Sequence, residues 1–177
     1  MNRHSPIVRL VMGVASAVAL SPLATILATQ NQAGPRFEVS FAPSARPEAV
    51  TGRVYVAISR TNQPQTPIQQ TSPTGVPLFS AAVDGLAPGQ TAVIDAATPG
   101  HPVRSLRDLP PGDYWAQPFV NVYTKFARAD GHTVWLHMDR WEGQNWKSSP
   151  GNLVGDPVKI TIGAGQSAAI RLVADKV

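Results

Sequence analysis

Short runs of alternating apolar and polar residues recur along this chain, and no long stretch carries apolar residues at helical spacing. An alternation of period two puts one set of side chains on each face of a strand. Arg36–Phe41 turns Phe37, Val39 and Phe41 to one side, and Gly52–Ser59 does the same with Val54, Val56 and Ile58. Thr91–Asp95 reads as a short strand. Asp113–Phe126 is the longest run, and Thr133–Met138 follows it after a turn at Ala129, Asp130 and Gly131. Val158–Ile162 and Ala168–Val173 read as a closing hairpin that turns at Gly163–Gly165. About seven strands separated by turn residues predict an all-β domain, a β-sandwich of immunoglobulin-like or transthyretin-like kind.

Two segments sharpen this reading and one interrupts it. Gly85 to Gly89 and Asp108 to Gly112 each set a leucine and a Pro-Gly or Pro-Pro-Gly turn before a strand. The leucine is expected to plug the end of the core, and the glycine to supply the positive φ of the turn. Residues 60–77 are polar and Pro-rich and have almost nothing apolar to bury, so they read as a long, exposed, flexible loop.

The N-terminus has another character. Arg3, His4 and Arg9 precede an apolar stretch from Leu10 to Ala28, and no acidic residue occurs before Glu38. This is the order of a secretory signal: residues 1–28 are expected to be the signal helix, 29–35 a short tail, and 36–177 the single domain. Cleavage after Ala28 or Ala33 is expected, and an uncleaved membrane anchor is the competing reading. The expected location is the periplasm or the extracellular space. The chain has no Cys, so an exported domain of this kind is held by packing alone.

The formal charge of +4 arises from 15 basic and 11 acidic residues. Without Arg3 and Arg9, 13 basic residues face 11 acidic ones, a net of +2 with no Lys/Arg cluster, which argues against nucleic acid as a partner. A membrane is a partner only if the signal segment stays attached.

No catalytic motif emerges. The chain lacks a nucleophile elbow, a zinc-protease helix, a phosphate loop and a dinucleotide fingerprint. Asp130, His132, His137 and Asp139 form its densest group of metal-ligating side chains, and they read first as turn and surface residues. Asp139 with Glu142 lacks the spacing of a calcium loop. No catalytic residue, metal or cofactor is expected.

The aromatic pattern is more informative. On the long strand, Tyr114, Ala116, Val120 and Val122 form a core face, and Trp115, Gln117, Phe119, Asn121 and Tyr123 the outer one. Pro118 cannot donate to a ladder, and a bulge there would switch the phase of everything before it. On the next strand Val134, Leu136 and Met138 are expected to face the core, and Trp135 and His137 to face outwards. Pairing the two gathers Trp115, Phe119, Tyr123, Trp135 and His137 on one outer surface, with Trp141, Gln144 and Trp146 close by in the following loop. The polar, Trp-rich stretch from Asp139 to Asn152 is expected to fold back on the domain through side-chain hydrogen bonds. Flat rings beside amides suit a protein partner or a sugar. The alternative is that both faces of the hairpin are buried, by residues 60–77 or by the Trp141–Trp146 segment.

A longer pattern runs through these residues: Leu109 to Tyr114, Gln117, Asn121 to Thr124, Arg128 to His137, Trp141 to Gln144 and Ser149 to Leu153. Together with Thr51 to Val56, it resembles the N-terminal accessory region of a group of exported bacterial esterase-like proteins, where it precedes an α/β-hydrolase domain. The resemblance spans roughly residues 36–162. It implies a non-catalytic accessory or binding domain whose partner is a separately encoded hydrolase or a cell-envelope glycan. No catalytic residue carries over, because the hydrolase domain is not in this chain. Two other expectations stand beside it: a small hydrolase using His132, His137, Asp130 and Asp139, and a remnant whose catalytic domain is lost or encoded elsewhere.

Overall fold

The computed structural model of the protein describes residues 34–139, 145–163 and 168–177. The proposed signal at residues 1–28, most of the tail, Trp141, Glu142 and Gln144 lie outside the described residues. Among the described residues no helix is long and apolar enough to cross a membrane.

The domain is all-β, with ten strands among the described residues: β1 (Arg36–Phe41), β2 (Val50–Ser59), β3 (Leu78–Leu86), β4 (Ala92–Ile94), β5 (Gly100–His101), β6 (Gly112–Ala127), β7 (Thr133–His137), β8 (Leu153–Val154), β9 (Val158–Ile162) and β10 (Ala169–Ala174). They form two sheets. The smaller has the order β10-β1-β4, and the larger the order β5-β3-β2-β6-β7, with β8 and β9 also pairing β6. The core between the sheets collects the predicted inner faces. Phe37, Val39 and Phe41 from one layer are buried in the same cluster as Val54, Val56, Ile58, Tyr114, Ala116, Val120 and Val122 from the other. Burying such side chains is the main favourable term holding two sheets together, at about 1.5–3 kcal/mol for each large aliphatic or aromatic residue.

The predicted closing hairpin does not form. β9 lies antiparallel to the start of β6, Gly112↔Ile162 through Ala116↔Val158. β10 instead pairs β1 in parallel, Arg36↔Ala169 through Phe41↔Ala174. Both strands carry the alternation that buries Ile160, Ile162, Leu172 and Ala174, so pattern alone does not choose a partner. Splitting them lets each satisfy the ladder of a different sheet edge. Three strands also escape the sequence reading. β3 has small Ser80 and Ala82 between Phe79, Ala81 and Val83, which blurs its alternation, and β5 and β8 are two residues each.

Pro118 causes no bulge. β2 and β6 stay in register from Gly52↔Val122 to Ser59↔Trp115. The Pro118 carbonyl accepts from the Gly155 N–H at 3.1 Å, on the side where β8 and β9 take turns along β6. A residue's N and C=O point to the same side of a strand, so the missing donor falls at the break between those two short strands.

At the entrance to β6, the Tyr114 hydroxyl donates to the Pro110 carbonyl at 2.6 Å, and the Arg60 guanidinium lies 3.7 Å over its ring. Leu106 and Leu109 are buried beneath this corner, as the plugging role of Leu109 requires. Gly89 and Gly112 have φ of 79° and 133°, the left-handed backbone their turns need.

Candidate functional site

The outer face of the large sheet is the place to look for a site, because its central part is unusually apolar and polar at once. Alternation opposite the core face puts Tyr55 and Ala57 of β2 beside Gln117, Phe119 and Asn121 of β6. Ala57, Phe119 and Ile68 form a second buried cluster there, with Tyr55, Leu78, Trp146 and Val154 packed against it.

Two segments build its cover. In residues 60–77, expected to be exposed, Pro67, Ile68 and Thr71 are buried. Side chains fold the segment. The Ser59 hydroxyl donates to Gln70 Oε1 at 2.7 Å, Gln70 Nε2 donates to the Gln65 carbonyl at 2.6 Å, and Thr71 Oγ1 to the Ile68 carbonyl at 2.7 Å. Gln117 then ties it to the sheet. Its Oε1 accepts from the Ile68 N–H at 3.0 Å, while its Nε2 donates to the Gly155 carbonyl at 3.0 Å. The polar composition misled because amides and hydroxyls here replace apolar area as the means of attachment.

The second segment starts at Trp146, which stacks on Tyr55 with ring centroids 4.6 Å apart and meets Phe119 edge-on at 5.4 Å. Asn152 anchors it. Its Nδ2 donates to the Trp146 carbonyl at 2.7 Å, and its Oδ1 accepts from Asn121 Nδ2 at 2.9 Å and from the Val122 N–H at 3.1 Å. Fold-back through side-chain hydrogen bonds, expected for the stretch up to Asn152, is what these contacts achieve. Lys147 joins the two covers, its Nζ donating to the Thr71 carbonyl at 3.0 Å and to Thr71 Oγ1 at 3.3 Å. Burial under this cover pushes the Tyr55 phenol above its ordinary value, Tyr123 adds to that effect, and Arg53 opposes it.

The single aromatic surface expected on the hairpin is therefore divided. Phe119 is buried, Trp115, Tyr123, His137 and Trp146 are half-buried, and Trp135 is 44% exposed. Tyr123 lies opposite His137 and Lys125 opposite Trp135 in the β6–β7 ladder. Of the residues expected to face the core on β7, Leu136 is 53% exposed and Val134 and Met138 are only half-buried, and Phe126, opposite Val134, is 36% exposed. The reason is length. β6 pairs β2 only as far as Val122, and the five pairs it makes with β7 run beyond that point.

The Asp/His group does not converge. Asp130 Oδ1 accepts from the His132 N–H at 3.1 Å and faces His132 Nδ1 at 3.3 Å, while Arg128 pairs with the same carboxylate at 3.0 Å. That triad closes the β6–β7 turn. His137 is at the far end of β7, roughly 17 Å away by strand rise. Among the described residues no three His, Cys, Asp or Glu side chains are close enough to hold a metal.

Concave surface gathers around the cover. One groove of ≈ 490 Å³ runs between Thr71, Ser72, Pro73, Leu78, His101, Trp146 and Lys147. A second of ≈ 570 Å³ and a third of ≈ 500 Å³ adjoin it, all three sharing Lys147. Sequence reasoning missed Tyr55, Ile68, Lys147 and Asn152. Tyr55 was within reach, since the alternation that puts Val54 inside puts Tyr55 outside. The other three carry no local signal, because their role depends on residues far away in the chain.

No protein-family model matches the chain, and no curated protein or solved structure is significantly similar to it.

Proposed function

We propose that this chain is an exported, non-catalytic accessory domain that docks onto a partner protein through the β6–β7 ribbon. The observation that carries this reading is the exposure of Phe126, Trp135 and Leu136 at the end of a rigid sheet. Three large apolar side chains, on both faces of one ribbon, form the kind of anchor that dominates protein interfaces. The pattern of residues 1–28 supports export. The likeness of residues 36–162 to the accessory region of esterase-like proteins makes a separately encoded hydrolase the first partner to test, ahead of an envelope glycan. The distance of His137 from the Asp130–His132 pair speaks against a hydrolytic site of the chain's own. Within the all-β class, the finer reading is an immunoglobulin-like or transthyretin-like β-sandwich. The hydroxyl bond from Tyr114 back to Pro110 supports it, as a tyrosine corner of the kind found in such folds.

The test is a photoreactive residue at Trp135 in the exporting cell. One discrete crosslinked protein, lost with Leu136→Asp or Phe126→Ser while the fold melts normally, is the expected result. Diffuse crosslinking, or a product indifferent to both substitutions, rejects the docking surface. Ester hydrolysis by the purified chain that disappears with His137→Ala would reject the non-catalytic reading.

A further inference from the structure

We propose that the groove between Trp146 and His101 is a binding site for a saccharide that carries a carboxylate, separate from the ribbon. Its walls combine what such a ligand needs. Leu78 and the Trp146 indole supply apolar surface for the face of a sugar ring. The indole is held before any ligand arrives by its stack on Tyr55 and its contact with Phe119, so little freedom is lost on binding. The volume of ≈ 490 Å³ falls within the range of small-ligand sites, roughly 300–1,000 Å³.

The charge of the groove is one-sided. Lys147 lines it, and no Asp or Glu side chain does among the described residues. The same holds for the second groove, whereas the third also takes in Val177, the last residue of the chain. An ammonium has three donors, and two of them hold Thr71. No carboxylate among the described residues pairs with Lys147, so no described side chain offsets its charge, which complements an acidic ligand. His101 Nε2 lies 2.7 Å from the Pro73 carbonyl, which requires the proton on that nitrogen and leaves Nδ1 as the ring's acceptor.

One cation beside a flat apolar wall and the hydroxyls of Thr71 and Ser72 fits a sugar carboxylate better than a phosphate. Phosphate sites gather arginines or a nest of backbone N–H groups, and neither lines this groove.

The experiment uses the full-length chain with trigalacturonic acid and with the neutral trisaccharide of galactose, followed by tryptophan fluorescence and by amide NMR shifts. Saturable binding of the acidic probe, at least tenfold tighter than the neutral one and weakened by salt, is expected. Shifts should centre on Trp146 and His101 and leave Trp135 unmoved. Lys147→Met should remove the preference for the acid and Lys147→Arg should retain most of it. His101→Ala, which also gives up the bond to the Pro73 carbonyl, should weaken binding severalfold while the melting temperature stays within a few degrees. Equal binding of both probes, no binding of either, or full binding by Lys147→Met would overturn the proposal. The docking reading of the ribbon is independent: crosslinking at Trp135 should survive Lys147→Met.

Discussion

β6 is one continuous strand with two unlike stretches. From Tyr114 to Val122 nearly every residue is buried, on both faces. From Tyr123 to Ala127 the same alternation continues, yet Lys125, Phe126 and Ala127 are exposed. The backbone is equally regular in both, and each is paired to a neighbour. What differs is what the rest of the chain lays over them. The first stretch has the small sheet on one side and the Pro67–Thr71 and Trp146–Asn152 covers on the other. The second has only β7 beside it among the described residues. A strand's pattern states which side chains share a face, and only its covers decide whether that face is core, cryptic or open.

The sharpest way to break this contrast is to truncate one apolar residue in each stretch. Phe119→Ala should cost about 3–5 kcal/mol in urea unfolding, as for other buried aromatic side chains. Leu136→Ala should stay within about 0.5 kcal/mol, as at exposed sites, while reducing partner crosslinking. Comparable losses at both positions would mean that the ribbon is covered after all. Asn152→Ala tests the polar half of the cover. It leaves the Val122 N–H without its acceptor in a buried place and takes one of two acceptors from Asn121 Nδ2, and it should cost about 2–3 kcal/mol.

A smaller effect is expected from Lys147→Met, which releases one cover from the other. About 1 kcal/mol or less should be lost. The informative measurement is hydrogen exchange: protection of the Ile68 amide should fall while that of Val56 in the core is unchanged. The smallest effect lies at the start of β6. The Thr161 hydroxyl donates to Asp113 Oδ1 at 2.7 Å, and this bond first, with Lys159 second, holds the Asp113 carboxyl below its ordinary value. A depressed folded value stabilises the fold above the ordinary carboxylate range and loses that support as pH falls through the folded value. Asp113 is fully exposed, so the contribution is small. Thr161→Ala should raise the Asp113 titration midpoint in NMR and flatten the acid limb of the melting-temperature profile. An unmoved midpoint would assign the shift to Lys159 instead.

Much of the core was legible. Phe37, Val39 and Phe41, then Val54, Val56 and Ile58, then Tyr114, Ala116, Val120 and Val122 all lie where alternation put them. So was the turn before β6, because Pro-Pro-Gly has few backbone options. The candidate site was legible only in part. The tryptophans and amides stood out, but their grouping did not. Trp146 and Phe119 became a packed cluster through Tyr55 and Ile68, residues distant in sequence that no local pattern joins to them. Trp135 and Leu136 became accessible because β2 stops pairing at Gly52, a fact of sheet extent that β7's own residues do not encode.

The chain's pattern by itself determined an all-β domain and the side chains that face its interior, because period two is a property of a single strand. Tertiary structure alone decided that β9 and β10 join different sheets, that the polar stretch of residues 60–77 lies down on the outer face, and that the aromatic surface is split in two. These outcomes depend on hydrogen-bond partners and covers brought together from far along the chain. A buried amide such as Gln117 or Asn152 looks like any surface amide until the groups it satisfies are in place.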